Sequence, residues 1–410
     1  MNVFLDAQPL LGNKSGIARY VGCLFNEYQN DEELNVSLAF NRIAKGIQIN
    51  EISASRVLLK HIINQRYPYK VIRRLMKPNF LYNFPYDFMK SKSAQLFHGT
   101  NFTYNRTMAG KSVITIHDLA YMKFPESTSD KIYKHHSKWV PYSAQKCDHI
   151  IADSEQTKID IMDLLNIAEH KISVIHLAAD EQFMPLPESE YLPIIQSYHL
   201  PERYILFVGT LEPRKNLLGL LKSYLLLKQN TDVTDKLVIV GAKGWKYSPM
   251  FEFIRDNELE SDVIFMGYIE DEHLPAIYNG ATTFVMPSIY EGFGIPILEA
   301  MKCGIPVIGS DVSSIPEVIG SYGIQVTPHD YESWANHLYR ILSDDAVRKS
   351  YSSLSLQRAA HFSWKQTAQA TKQVYLDVLN SNFPENKELS YENRDYTRLP
   401  QSVRGSGTGT

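Results

Sequence analysis

The densest chemistry in this sequence lies in Pro287-Ser-Ile-Tyr-Glu-Gly-Phe-Gly-Ile-Pro-Ile-Leu-Glu-Ala-Met-Lys-Cys-Gly304. Glu291 is followed by Gly292, Phe293 and Gly294, after which Pro296 suits the opening of a helix and Gly304 its end. Glycines ahead of a helix N-terminus let main-chain N–H groups approach an anion, and the helix dipole favours negative charge there. Two carboxylates eight residues apart, Glu291 and Glu299, are misplaced beside a phosphate unless they face hydroxyl groups flanking it. Carboxylates are strong acceptors for sugar O–H donors, so the pattern fits a sugar–diphosphate–sugar ligand, which describes a nucleotide sugar. A second stretch, Leu206-Phe-Val-Gly-Thr-Leu-Glu-Pro-Arg-Lys-Asn-Leu-Leu218, delivers Arg214 and Lys215 after a strand that ends at Gly209. Adjacent cations at the carboxyl end of a parallel strand lie where α/β folds bind ligands. They would neutralise a departing diphosphate and so lower the barrier to bond cleavage.

The elements that must position these residues read as short buried strands alternating with helices. Val3–Asp6, Ser112–His117, His149–Asp153 and Ser173–Ala178 are the expected strands of the first half. Tyr204–Gly209, Lys236–Gly241, Val263–Gly267, Thr283–Pro287 and Pro306–Ser310 are those of the second. Apolar runs without alternation, separated by helices, mean parallel sheets covered on both faces. Four prolines between 184 and 203 (Pro185, Pro187, Pro193, Pro201) suggest a hinge. The segment 364–379 is an amphipathic helix capped by Ser363, and the polar chain beyond Asn380 reads as a flexible tail. The expected division is a first Rossmann-like domain at 1–190, a second at 191–363, the helix at 364–380 packing back on the first domain, and a tail at 381–410.

Composition narrows the class of function. Across 410 residues, 44% are hydrophobic and 21% charged, which are globular values. The formal charge of −3 gives no nucleic-acid footprint. Three cysteines (Cys23, Cys147, Cys303) without a C-x-x-C pair speak against a disulfide scaffold or cysteine-rich zinc site and suit a reducing cytosol. No apolar run reaches the roughly 20 residues of a membrane span, and the N-terminus does not read as a signal peptide. One local imbalance is present: residues 56–92 hold nine Lys or Arg against a single acid, Asp87, interleaved with Tyr and Phe. Such a region suits an anionic membrane surface or a lipid phosphate, and equally a solvated basic face.

Together the two stretches resemble those of the retaining glycosyltransferases of family 4, which have the GT-B architecture of two Rossmann-like domains with parallel sheets facing across an inter-domain cleft. EGFGIPILEAM resembles the family's E-x7-E motif at Glu291 and Glu299, and VGTLEPRKNL its diphosphate-binding element. SGIARY and ITIHDLAY resemble its N-terminal donor and acceptor loops, and IIADSEQTKIDI and IPEVIGSYGIQVTP match as well. The resemblance spans residues 2–380. It implies that Glu291 faces the transferred hexose, that Glu299 faces the ribose hydroxyls, and that the N–H groups near Gly292, Phe293, Gly294 and Ile295 meet the donor. Gly16 would let the first domain's backbone close on the diphosphate, and His117 would hydrogen-bond the donor sugar or shape the reaction centre. Tyr268 and Ile269 would wall the base. The family often places an Arg directly after the strand-ending glycine; Thr210 stands there in this chain, which makes Arg214 the substitute and Lys215 the matching cation.

The implied reaction retains the anomeric configuration through a front-face displacement in which the leaving diphosphate helps accept the acceptor's proton. No Asp-x-Asp occurs, no metal requirement is expected, and Arg214, Lys215 and the helix N-terminus supply the positive field. The motifs look most like those of bacterial polysaccharide mannosyltransferases using GDP-mannose, with UDP-glucose, UDP-N-acetylglucosamine or GDP-fucose as alternatives. The expected acceptor is a glycan or polyprenyl-linked hydroxyl, and the expected location is cytoplasmic, peripheral to the inner face of the membrane. A dehydrogenase is excluded because Gly292-Phe-Gly294 is followed by Ile297 where the third glycine of G-x-G-x-x-G belongs. An epimerase or a non-catalytic nucleotide-sugar-binding protein remains an alternative.

Overall fold

The computed structural model describes residues 1–11, 16–41, 62–65, 93–102, 104–105, 107–245 and 247–381. Two compact units divide the chain: 1–153, 157–175 and 368 onward form the first, 154–156 and 176–367 the second. Each is built on an all-parallel sheet, as the unalternating apolar runs require. The first sheet has seven strands: β1 (Asn2–Asp6), β2 (Asn35–Asn41), β3 (Ile62–Gln65), β4 (Leu96–Gly99), β5 (Lys111–Ile116), β6 (His149–Ala152) and β7 (Ile172–Val174), in the order 3-2-1-4-5-6-7. The second has six: β8 (Tyr204–Val208), β9 (Lys236–Val240), β10 (Val263–Gly267), β11 (Thr283–Met286), β12 (Val307–Ser310) and β13 (Ile324–Val326), in the order 10-9-8-11-12-13. Strand order therefore reverses between β1 and β4 in the first sheet and between β8 and β11 in the second. In open α/β sheets, loops at the carboxyl ends beside such a reversal are the ones that hold ligands.

Packing explains why these strands stay put. In the second unit Ile205, Phe207, Leu237 and Ile239 meet Leu220, Leu221 and Tyr224 of helix Leu217–Asn230, and Trp334 and Leu338 of helix Tyr331–Ser343. In the first, Ile114, Ile116 and Ile150 pack on Trp139 and Val140 of helix Asp130–Lys146 and Ile161 of helix Glu155–Leu165. Each such fully buried apolar side chain contributes roughly 1.5–3 kcal/mol.

Several expectations are corrected. The boundary expected at 190/191 lies at 175/176, and 154–156 also join the second unit. Residues after 176 are tied into that unit: Phe183 packs edge-on against Tyr278, and Lys302 donates to the carbonyls of Ala179 and Asp180. The proline-rich stretch expected as a hinge instead forms helix Glu188–Ser197, with Pro187 preceding it and Pro193 inside. The C-terminal helix runs Trp364–Leu379, with the Ser363 hydroxyl accepting from the Gln366 N–H at 3.2 Å. Its first residues belong to the second unit, where Trp364 Nε1 donates to Asp180. From Ala368 it belongs to the first, where Lys372 pairs with Asp31 and Glu33. The basic aromatic region 56–92 lies outside the described residues except for β3, as does the tail beyond 381. Among the described residues no helix is long and apolar enough to cross a membrane.

Candidate functional site

The reversal between β8 and β11 brings the two informative stretches side by side. After β8 the chain makes a single 3-10 turn, Pro213–Lys215, and then Asn216 takes a left-handed conformation (φ 53°) before helix Leu217–Asn230 begins. The cations thus sit on a separate turn and not in the helix itself. Asn216 holds that turn: its side-chain amide donates to the carbonyls of Pro287 (3.1 Å) and Pro328 (2.9 Å). The space it occupies exists because residue 219 is glycine, where a Cβ would come within 2.5 Å of the Asn216 side chain. The Ile289 N–H closes the joint by donating to the Arg214 carbonyl at 2.9 Å.

The result is a buried charge cluster. Lys215 Nζ lies 2.6 Å from Glu291 Oε1, and Arg214 Nη1 lies 2.8 Å from Glu291 Oε2. Arg214 also donates to the Tyr290 carbonyl (2.7 Å) and, through Nη2, to Glu212 Oε1 (2.5 Å). Two acids therefore balance two cations. Burial alone would raise the Glu291 pKa, but Lys215 and Arg214 outweigh it and bring the carboxyl down to about 2. A pair this deep is retained only where both charges stay partnered, because stripping one partner away costs about 3–5 kcal/mol.

The loop beyond Glu291 is fixed by serines. Ser313 Oγ donates to the Glu291 carbonyl (2.6 Å) while the Glu291 N–H donates back to it (3.1 Å). Ser314 Oγ lies 3.0 Å from the carbonyls of both Glu291 and Phe293, and Ser154 Oγ donates to the Gly292 carbonyl at 2.7 Å. Three successive carbonyls are thus drawn toward buried hydroxyls. Gly294 follows in the left-handed region (φ 106°), a conformation suited to glycine, and helix Ile295–Lys302 starts. Among the described residues the N–H groups of Phe293, Gly294 and Ile295 donate to no protein acceptor. The carbonyls of this loop are thus fixed while its three amides stand open, and the two cations of the neighbouring turn are held by Glu291 and Glu212.

The other expected residues are placed as follows. Glu299 is buried in helix Ile295–Lys302, and its Oε2 accepts from the Tyr278 hydroxyl at 2.7 Å. Phe293 is buried and stacked on the His176 ring (5.7 Å between centroids). Thr210 is exposed, and of the pair after β10 Tyr268 is 54% exposed while Ile269 is buried. In the first unit Gly16 opens helix Gly16–Tyr28, with residues 12–15 outside the description. His117 follows β5, and both its ring nitrogens have protein partners: Nδ1 with Asp153 Oδ2 at 2.7 Å and Nε2 with the Thr100 carbonyl at 2.9 Å. Both partners are acceptors, so both nitrogens carry protons. Burial would lower the His117 pKa; Asp153 and the Thr100 carbonyl overcome it and raise the value, favouring the imidazolium. Nearby His98, between the Tyr375 hydroxyl (2.6 Å) and Thr115 Oγ1 (2.8 Å), is the reverse case, lowered by burial to about 3. Among the described residues no three His, Cys, Asp or Glu gather into a group that could hold a metal ion.

Sequence reasoning missed Glu212, Asn216, Ser154, Ser313, Ser314 and Asp153. Their common signal is position: all lie in loops that follow the carboxyl ends of β8, β6 or β12.

Two open all-parallel sheets, each with one reversal of strand order, are the paired Rossmann-like domains of the GT-B architecture. The family described as Glycosyltransferase Family 4 matches residues 35–183, and that described as Glycosyl transferases group 1 matches 195–357. The chain is 35% identical over 281 residues to an Escherichia coli O-antigen chain mannosyltransferase B, covering 68% of this chain and 74% of that protein. It is 31% identical over 246 residues to the E. coli serotype-specific mannosyltransferase WbdA, of which it spans only 30%. Among solved structures, Anabaena HepE in complex with UDP and glucose shares the fold, with a TM-score of 0.66 at 17% identity over 92% of this chain and 99% of that one. The chain belongs to the family 4 glycosyltransferases and is a glycosyltransferase enzyme.

Proposed function

We propose that the chain is a retaining hexosyltransferase that moves mannose from GDP-mannose to a hydroxyl of a glycan or lipid-linked acceptor during synthesis of a bacterial surface polysaccharide. The observation that carries the reading is the Arg214–Lys215 pair set beside the open amides of Phe293, Gly294 and Ile295. The mannosyltransferase relatives supply the sugar and the polymer.

In this reading the donor's diphosphate sits against the two cations and the loop amides. Lys215 is a compact charge and Arg214 a forked one, and both stabilise charge that builds on the leaving oxygen as the glycosidic C–O bond breaks. Glu291 accepts from hydroxyls of the hexose, which orients its anomeric carbon, and Glu299 accepts from the ribose. The departing phosphate oxygen takes the acceptor's proton on the same face, so the configuration is kept. The imidazolium of His117 adds positive charge and shape in the first unit. The basic aromatic region 56–92 docks the enzyme on an anionic membrane, which sedimentation with anionic and neutral liposomes tests directly; equal partition would remove that part of the reading.

The experiment is a transfer assay with GDP-mannose, UDP-glucose and UDP-N-acetylglucosamine against a lipid-linked or polysaccharide acceptor, with NMR of the product linkage. Mannose transferred with the donor's anomeric configuration is expected. Isomerised donor without transfer, or donor bound and never consumed, overturns the proposal.

A further inference from the structure

We infer that Glu291 is a built-in competitor of the donor's diphosphate, and that this makes it the residue that separates sugar-bearing donor from sugar-free nucleoside diphosphate. The inference rests on the donor-site reading above and deepens it.

The argument begins with the charges at the site. Glu291 holds both cations expected to meet the diphosphate, Lys215 at 2.6 Å and Arg214 at 2.8 Å, one on each carboxylate oxygen. Glu212 takes the other edge of Arg214, so the cluster is neutral as it stands. The side chains of Lys215, Glu291 and Glu212 are each about nine-tenths buried or more, so water is a poor substitute partner for any of them. A phosphate that binds Lys215 and Arg214 competes for them with Glu291, whose two oxygens each hold one of these cations. Whether the carboxylate moves aside or stays next to the phosphate, a buried carboxylate beside an incoming anion is a like-charge conflict.

How that conflict is resolved depends on the ligand. A nucleotide sugar carries a hexose on its distal phosphate, and the ring hydroxyls of that hexose give Glu291 new partners. A nucleoside diphosphate brings a more highly charged terminal phosphate and no such donors, so Glu291 is left facing it unpartnered or returns to Lys215 and expels the ligand. The carboxylate thus favours donor over product, because it must be re-partnered for any anion to stay. The backbone of Glu291 is pinned at both N–H and carbonyl by Ser313 and Ser314, so the exchange is a side-chain movement and needs no loop rearrangement.

The test is calorimetric titration of the full chain with GDP, UDP and inorganic pyrophosphate, comparing the wild type with Glu291→Gln. The glutamine keeps the shape and loses the charge, and its single amide oxygen can accept from only one of the two cations. Affinity of the variant for at least one of these sugar-free probes is expected to rise by about tenfold or more, while its affinity for the matching nucleotide sugar rises less or falls. Should Glu291→Gln not fold, Glu291→Asp, which draws the carboxylate back by one methylene, is expected to shift the same ratio in the same direction by a smaller factor. Equal or weaker binding of the sugar-free probes by the variant, with the wild type binding measurably, overturns the competitor role and leaves the donor site standing. Binding of none of the probes by either chain overturns the donor-site reading itself.

Discussion

In the second unit Glu291 divides its two oxygens between Lys215 and Arg214, whereas in the first unit His117 divides its two nitrogens between Asp153 and the Thr100 carbonyl. Both are buried ionic groups placed by the carboxyl ends of parallel strands. In the first unit the charge is closed upon itself: every ring donor is used and one partner is immovable backbone. In the second, both cations on Glu291 are side chains and three loop amides of the same stretch stand open. A centre of the first kind holds a shape and a fixed charge; a centre of the second kind can exchange an internal anion for an external one. On the proposed reading the ligand's charge is met in the second unit, while His117 gives the first unit a buried cation of its own.

The largest expected effect separates the two centres by activity. Lys215→Ala removes a cation that the proposed donor site sets against the leaving group and is expected to lower kcat by about 10²–10³-fold. Steady-state kinetics with the best donor checks this, and near-normal turnover would break the comparison from the second unit's side. Asp153→Asn leaves His117 without its anionic partner and is expected to lower kcat by about tenfold, the worth of one charge-assisted hydrogen bond. A loss as great as that of Lys215→Ala would mean that His117 meets the reacting atoms and is not merely preset.

How far the sequence discloses these centres follows from what each residue depends on. Glu291, Lys215 and Arg214 are legible because each sits in a glycine- or proline-marked loop directly after an apolar run, and the spacing to Glu299 is local. Ser154 and Ser314 are not, because they reach the Glu291 loop from the ends of β6 and β12, and strand order is a property of the sheet. β4 escapes notice because Leu96–Gly99 is four residues with His98 buried in its middle, and that ring is satisfied by Thr115 of the next strand and by Tyr375, 277 residues away in sequence. β13 is three residues long and β2 mixes Ser37 and Asn35 into its run. The misread hinge has a similar cause: Pro187 precedes a helix, where its missing N–H costs nothing, so a proline cluster marks a helix start as readily as a linker.

Smaller effects sharpen the contrast. Ser154→Ala leaves the buried Gly292 carbonyl without its donor and is expected to cost about 1–3 kcal/mol of stability and to weaken donor binding several-fold, with kcat changed less. Chemical denaturation together with KM against kcat reads both, and an unchanged KM would show that the serine only supports the fold. The pH dependence of stability should carry opposite signs in the two centres. Glu291, lowered from 4.5 to about 2, contributes stability that is full above about pH 4.5 and is lost as pH falls toward 2, on the order of 3 kcal/mol. His117, raised above 6.5, contributes stability that is full below pH 6.5 and is lost as pH rises through its raised value. Melting curves across pH for the wild type and Asp153→Asn should therefore converge on the alkaline side, and parallel curves would contradict the imidazolium.

The central claim is that the diphosphate of a nucleotide sugar binds against Lys215 and Arg214. Titrating GDP-mannose and UDP-glucose into the wild type and into Lys215→Ala by calorimetry tests it most directly. Binding of at least one donor by the wild type, weakened in the variant by about 100-fold or more, is the predicted result; a donor that binds both chains with the same affinity would contradict it.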